Sequence, residues 1–218
     1  MTSHRIDLSL SLPVVPQTQD FNQYASIPCG VATADIQSAM TEFIDFLAFI
    51  DTELVKKGMA RIEDMLMPAN FSSMVGEFMT AAIPKHCSTV AKNTYHNGHP
   101  DIVPSGKFKD NAAQHAGSDG IEVKASRYLR GWQGHNPENV WLLVFVFEGG
   151  RPTDERKEVA AKKFRFLLVA GALLEKSDWQ FSGRTATSRR TITASVKRSG
   201  YEKMMANWIY RAPDLKKI

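Results

Sequence analysis

Hydrophobic residues recur every three or four positions through the first third of the chain, which is the spacing of the buried face of an α-helix. The pattern predicts a long helix from Ala34 to Lys57 and a short helix from Met59 to Met67. A third predicted helix runs from Asn70, as its N-cap, to Ile83, and Pro84 is expected to end it. Residues 1–32, which contain three prolines and one glycine, are expected to form an arm and loops.

Later segments follow the patterns of strands. Ser88 to Tyr95 and the threonine-rich segment from Thr187 to Val196 are predicted strands. Val140 to Phe147 is continuously apolar, which indicates a central strand buried on both faces. Phe164 to Leu174 is also apolar, and its pattern does not separate strand from helix. Glu155 to Lys163 is charged and is predicted to be helical.

The order of these elements predicts an α/β fold with a mixed β-sheet in one domain. The length of 218 residues suits one substantial core. No apolar run reaches the roughly 18 residues of a membrane span, and the N-terminus lacks the pattern of a secretory signal. Two cysteines cannot form a disulfide framework and lack zinc-site spacing, which favours a reducing cytoplasm.

The net charge of +4 is unevenly distributed. Nine basic and two acidic residues follow residue 179, so this segment carries a formal charge of +7 against −3 for residues 1–179. A basic segment on a nearly neutral body indicates a polyanionic partner, although a merely solvated basic surface is the alternative.

Candidate chemistry lies in two short runs. Asp101 follows Pro100 and opens an apolar run, and about twenty residues later the alternating segment Ile121 to Ala125 has the period of a half-buried strand. Glu122 and Lys124 leave the same face of that strand. If the two runs pair, two carboxylates and a lysine converge, which suits a hard divalent cation and phosphodiester hydrolysis. The alternative is a set of solvent-facing charges on an edge strand and a turn.

Pro100-Asp101 followed by Glu122-Val123-Lys124 resembles the signature of the PD-(D/E)XK nucleases. This superfamily includes most type II restriction endonucleases and several repair and recombination nucleases, and the resemblance covers roughly residues 70–150. It implies a restriction-endonuclease-like mixed central sheet flanked by helices. It also implies Mg²⁺ or Mn²⁺ held by Asp101, Glu122 and the backbone carbonyl of Val123, with Lys124 positioning the attacking water.

The family resemblance extends to Glu77, since the helix before the aspartate strand often supplies an additional acid. Glu77 lies at the margin of the predicted apolar stripe, so it is a candidate catalytic and metal-binding residue. An exposed helical glutamate is the equal alternative.

A loop from Gly131 to Asn139 carries many hydrogen-bond donors and a tryptophan, and is expected to contact DNA. The alternative is a loop that caps the next strand, with Trp132 as a lid on the core. Arg189 and Arg190 are the preferred candidates for base or phosphate contacts on an extended basic segment. The predicted DNA-binding residues are Lys107, Arg127, Arg130, Gln133, His135, Asn136, Arg184, Arg189, Arg190, Lys197 and Arg198.

The histidines suggest a rival site. His96, His99, His115 and His135-Asn136 hint at zinc or at a His-Asn nuclease motif, but neither four well-spaced zinc ligands nor a ββα-metal context is visible. The chain also lacks the phosphate-binding loop of nucleotide-driven motors.

The expected function is therefore that of a Mg²⁺-dependent type II restriction endonuclease that acts on double-stranded DNA in the cytoplasm and is bacterial, archaeal or phage-encoded. A homodimer is expected, because two strands must be cut and the first long helix is rich in phenylalanine and methionine. The expected division is 1–68 for the arm and helices, 69–178 for the catalytic core and 179–218 for the basic part. A structure-directed repair nuclease and a DNA-binding module with a vestigial site remain the alternatives.

Overall fold

The computed structural model describes residues 12–151, 162–181 and 193–215. These residues form a mixed α/β structure with four α-helices and nine strands, in agreement with the predicted fold class. The helices are α1 (Thr33–Lys56), α2 (Ile62–Met65), α3 (Pro68–His86) and α4 (Arg198–Ala206). The strands are β1 (Val90–Lys92), β2 (Ile102–Pro104), β3 (Ile121–Ser126), β4 (Gln133–Gly134), β5 (Val140–Glu148), β6 (Arg165–Leu174), β7 (Trp179–Phe181), β8 (Ala194–Val196) and β9 (Trp208–Arg211).

Six of these strands form one mixed sheet in the order β1-β2-β3-β5-β6-β9, and β4, β8 and β7 form a small second sheet. In the large sheet β3 and β5 are parallel, while the other neighbouring strands pair antiparallel. The connection from β3 to β5 carries β4 and contains no helix. The candidate site lies at the N-terminal end of β3.

Helix α3 differs from the prediction at both ends. It begins at Pro68, with Met67 rather than Asn70 as N-cap. Proline suits the first helical position because its φ is already helical and because an N–H at that position would have no acceptor within the helix. Pro84 lies inside the helix, two residues before its end at His86. A proline there costs a backbone hydrogen bond, but burial of the adjacent Ile83 anchors the last turn against the core.

Among the strands, the first predicted one is shorter than expected and spans only Val90–Lys92. The ambiguous run from Phe164 to Leu174 contains a strand, β6, which pairs along the length of β5. Of the predicted strand from Thr187 to Val196, the described part contains β8, and residues 187–192 lie outside the described residues. The predicted helix from Glu155 to Lys163 lies mostly outside them too, and Lys162 and Lys163 are not helical.

Two apolar layers explain the continuous apolar sequence of β5. One face of the strand, including Phe145 and Phe147, packs under α1 and α3, and the other, including Val144, packs in a second cluster that contains Met204 of α4. Trp132 belongs to that second cluster and is only 3% exposed, with its indole N–H donated to the carbonyl of Tyr128 at 2.8 Å. Trp132 is therefore the lid of a core, as the alternative interpretation held.

No helix in the described ranges combines the length and apolar character that crossing a membrane requires.

Candidate active site

The site is built where β2 and β3 meet. These strands pair through Ile102 and Ile121, and Asp101, just before β2, accepts a hydrogen bond from the backbone N–H of Val123 at 2.8 Å. The approach of β2 requires glycine at position 120, because a Cβ there would lie 2.2 Å from the carbonyl oxygen of Ile102. The Asp101 carboxylate is thereby held beside β3, as the sequence predicts.

Asn93, which follows β1, organises the loop that carries Asp101. It is 8% exposed, and its amide donates to the carbonyls of Pro100 (2.9 Å) and Ala113 (2.7 Å). Its side-chain oxygen accepts the backbone N–H groups of Tyr95 (3.1 Å) and Ala113 (3.0 Å). Four hydrogen bonds from one buried side chain make Asn93 the centre of the loop, a role that no periodicity or motif in the sequence indicates.

Glu122 is held by two cationic groups. Its Oε1 forms an ion pair with the Lys124 ammonium, and its Oε2 lies 2.9 Å from Nδ1 of His99. The other ring nitrogen of His99, Nε2, lies 3.1 Å from a carboxylate oxygen of Glu138. In the sequence, His99 stands out only as part of the rival zinc or His-Asn motif, although its position two residues before Asp101 places it next to the candidate carboxylates.

Burial and charge shift the pKa of each of these groups. Burial and the charge of Glu122 raise the pKa of Asp101 to about 6, despite the opposing Lys124. For Glu122, burial acts upward, but the close contact with the His99 imidazole and the charge of Lys124 outweigh it and lower the pKa to about 2. Burial lowers the pKa of Lys124 and of His99, but the neighbouring carboxylates have the larger effect and raise both values. The pKa of His99 rises to about 10. At neutral pH the site therefore holds carboxylates, an ammonium and an imidazolium.

These side chains line an open groove of about 520 Å³. Glu77 of α3 also lines it, which agrees with the expected direction of that residue, but its side chain is 73% exposed and lies 3.4 Å from the ammonium of Lys92. A smaller adjoining cavity between α3 and β3 is shared by Glu77, Asp101 and Lys124. Glu77 is thus at the rim of the groove and not in its buried part.

The donor set suits a hard cation such as Mg²⁺, which typically takes one or two carboxylates from the protein and fills its remaining positions with water and substrate phosphate. Asp101 and Glu122 supply two such carboxylates. Within the described ranges no group of three or more histidine, cysteine, aspartate or glutamate side chains is placed to hold a metal ion. Because Lys124 and His99 each contact one oxygen of Glu122, a cation at this carboxylate has to share its oxygens with these groups or replace one of their contacts.

Several predicted DNA-binding residues lie on the surface. Gln133, His135 and Asn136 are exposed, and His135 lines the groove itself. Lys107 is exposed and lies 2.8 Å from Asp119. Arg130 is exposed, with its guanidinium 5.2 Å from the ring centroid of Tyr201.

Other predicted DNA-binding residues are placed differently. The guanidinium of Arg127 packs over Phe71 and Phe147 and donates to the carbonyl of Gly149, which holds it against the core rather than presenting it to a phosphate. Arg198 is a correction to the expected extended segment, because it begins helix α4 and pairs with Glu202 one turn later. Lys197 is the N-cap of the same helix. Arg184, Arg189 and Arg190 lie outside the described residues.

No family model matches this chain, and comparisons with curated proteins and with solved structures found no similar protein.

Proposed function

We propose that the protein is a Mg²⁺-dependent DNA endonuclease with a restriction-endonuclease-like fold, which also accepts Mn²⁺ and cuts double-stranded DNA at a specific site. The observation that carries the proposal is the meeting of Asp101, Glu122 and Lys124 in an open groove where β2 and β3 pair. The order α3-β1-β2-β3, followed by a strand parallel to β3, supports the family resemblance.

The chemistry follows from the charges of the groove. A bound Mg²⁺ would polarise the phosphate and lower the pKa of a bound water. Asp101 and Glu122 would hold the cation, together with the backbone carbonyl of Val123. Lys124 pairs with Glu122 in the groove, so its part is to orient the attacking water and to stabilise negative charge on the phosphate.

A cleavage assay on plasmid DNA of mixed sequence, with Mg²⁺ and with a chelator control, tests the proposal. Discrete fragments are expected, because a site-specific enzyme cuts at defined positions. A Mg²⁺-dependent smear would instead indicate a structure-directed or repair nuclease. Intact plasmid, together with DNA binding in fluorescence anisotropy, would indicate a binding module with a vestigial site.

Glu77→Gln is expected to raise the Mg²⁺ concentration needed for half-maximal cleavage by about tenfold, the lower end of the effect of removing a residue that supports a metal site. The reason is that Glu77 lines the groove from the α3 side while most of its side chain remains in water. A Mg²⁺ titration of the initial cleavage rate measures this. Glu53→Gln on α1, which removes a glutamate paired with Lys56, is the matched control. An unchanged titration would make Glu77 an ordinary surface acid.

We further propose a twofold-symmetric homodimer matched to a palindromic target. Phe49 of α1 is 63% exposed and contributes apolar surface that an isolated protomer leaves in water. Sedimentation velocity is expected to give a dimer for the wild type and a shift toward monomer for Phe49→Asp. A wild-type monomer, both free and on DNA, would contradict the dimer.

Binding to DNA is expected to weaken steeply with salt, with a slope of about 0.9 in log affinity for each phosphate contact. Lys197→Ala, at the exposed N-cap of α4, should lower the slope by about one and weaken binding to all sequences alike. At least one of Arg189→Ala and Arg190→Ala should instead cost about 1–3 kcal/mol on the preferred site and much less on random duplex. Fluorescence anisotropy over a salt series measures both effects.

Lys56→Ala removes an exposed lysine of α1 and serves as the control for loss of charge alone. If every basic variant binds both duplexes as the wild type does, the C-terminal segment is a solvated surface and recognition lies in the loop that carries Gln133, His135 and Asn136.

A further inference from the structure

His99 occupies a bridging position that the proposed chemistry leaves unexplained. One ring nitrogen lies 2.9 Å from Glu122 and the other lies 3.1 Å from Glu138, so a single imidazole joins two carboxylates. The side chain of His99 is only 18% exposed and that of Glu122 is buried. Contacts between groups so sheltered from water are screened less than those of surface ion pairs and restrict the side chains more firmly.

The far end of this bridge is anchored to the rest of the protein. The backbone carbonyl of Glu138 accepts the indole N–H of Trp179 in β7 at 2.9 Å. The side chain of the next residue, Asn139, accepts the backbone N–H of Lys176 at 3.0 Å. The backbone around Glu138 is therefore held by the segment that leads into the small sheet. Because His99 contacts both carboxylates, the position of Glu138 restrains that of Glu122.

We propose that His99 and Glu138 are positioning residues, which hold Oε2 of Glu122 so that this carboxylate and its partner Lys124 take the orientation that the reaction requires. This inference rests on the proposed nuclease function, since it assigns a role relative to Glu122 as a metal ligand. Residues that orient a metal-binding side chain through its second oxygen usually affect metal affinity and turnover more than substrate binding.

The bridge also joins the site to the connection between β3 and β5, which carries Gln133 in β4 and His135 and Asn136 after it, because Glu138 lies in the same connection. A displacement of this connection would move Glu138, and through His99 it would move Glu122. Of Asp101 and Glu122, only Glu122 is thus oriented through the connection that carries Glu138, whereas Asp101 is held by the backbone of β3.

The test is a double-mutant cycle of His99→Gln, Glu138→Gln and the combination of both. His115→Gln is the matched control, because the backbone of His115 bridges to that of His99 while its side chain is exposed. Each variant is measured for kcat and KM in cleavage, for thermal unfolding, and for Mn²⁺ affinity of the DNA-free protein by calorimetry.

In each single variant, kcat is expected to fall by about 10–100-fold and the Mn²⁺ dissociation constant to rise by a comparable factor, with KM for DNA unchanged within about twofold. The double variant should be no worse than the more severe single variant, because both substitutions break the same bridge. The control should match the wild type.

Three results would overturn the proposal. Multiplicative effects in the double variant would show that the two residues act independently. A rise in KM alone would make them DNA contacts. Loss of thermal stability with unchanged kcat and Mn²⁺ affinity would make the bridge purely structural.

The calorimetric measurement separates this inference from the proposed function. If the wild type binds Mn²⁺ but cuts no DNA, the nuclease proposal fails, while weaker Mn²⁺ binding in the variants still supports the positioning role. If cutting is normal and the variants bind Mn²⁺ as the wild type does, only the positioning role fails.

Discussion

Cleavage by Asp101→Asn, Glu122→Gln and Lys124→Ala is expected to fall by several orders of magnitude, while DNA affinity stays in the range of the wild type. The first two substitutions keep the size of the side chain and remove a negative charge from the groove. The third removes the ammonium that pairs with Glu122. Each substitution is expected to remove several kcal/mol of electrostatic stabilisation of the transition state, and each 1.36 kcal/mol corresponds to about a factor of ten in rate.

Single-turnover cleavage at saturating Mg²⁺, alongside anisotropy with Ca²⁺ in place of Mg²⁺, separates chemistry from binding. Asp45→Asn, which neutralises an exposed acid of α1, and Glu53→Gln, which neutralises a half-buried acid paired with Lys56, are the controls for loss of charge. A variant of the site that cuts at a nearly wild-type rate would remove that residue from the proposed chemistry.

Asn93→Ala is expected to lower the free energy of unfolding by about 3 kcal/mol and to reduce cleavage at temperatures where the variant remains folded. A buried polar group left without a partner costs about 1–3 kcal/mol, and this substitution strands groups on Tyr95, Pro100 and Ala113, some of which water can reach. Cleavage should fall because the carbonyl of Pro100 immediately precedes Asp101 and loses its anchor. Urea denaturation measures the stability.

Asn93→Asp tests specifically the two hydrogen bonds that the Asn93 amide donates. It keeps the shape and the acceptor oxygen, but places an acceptor against the carbonyls of Pro100 and Ala113 where the amide donates. It should be destabilised at least as much as Asn93→Ala at neutral pH. Asn70→Ala, an exposed asparagine of α3, should stay within about 0.5 kcal/mol of the wild type. A change below about 1 kcal/mol in both Asn93 variants would show that the loop is held by other contacts.

The local sequence pattern was sufficient to predict those elements in which the spacing of apolar residues reflects which positions are buried. The apolar spacing of α1 predicted this helix closely, because one of its faces is buried. The alternation of β3 predicted a strand in the right place, although its first three residues, Glu122 included, are all buried. The continuous apolar run of β5 predicted a strand covered on both sides, and two clusters cover it. The convergence of Asp101 with Glu122 followed from the pairing of two short runs, which the contact between Ile102 and Ile121 bears out.

Pattern failed where a residue's partner lies far away in the chain. Phe164 to Leu174 was undecided because β6 is specified by its pairing with β5 and not by its own composition. Trp132 and Arg127 stand in a polar part of the sequence, yet the first is buried in a core and the second packs on two phenylalanine rings from other elements.

By itself the sequence determined the helical and strand periodicities, the uneven charge and the three residues of the candidate site, since these depend on spacing along the chain. Only the tertiary structure decided that Asn93 organises the loop of Asp101 and that His99 joins Glu122 to Glu138. The physical reason is that neither a buried asparagine nor a half-buried histidine has a periodic signature. The role of each is defined by the polar partners that folding brings within about 3 Å, and such partners are separated along the chain by connections that local pattern does not constrain.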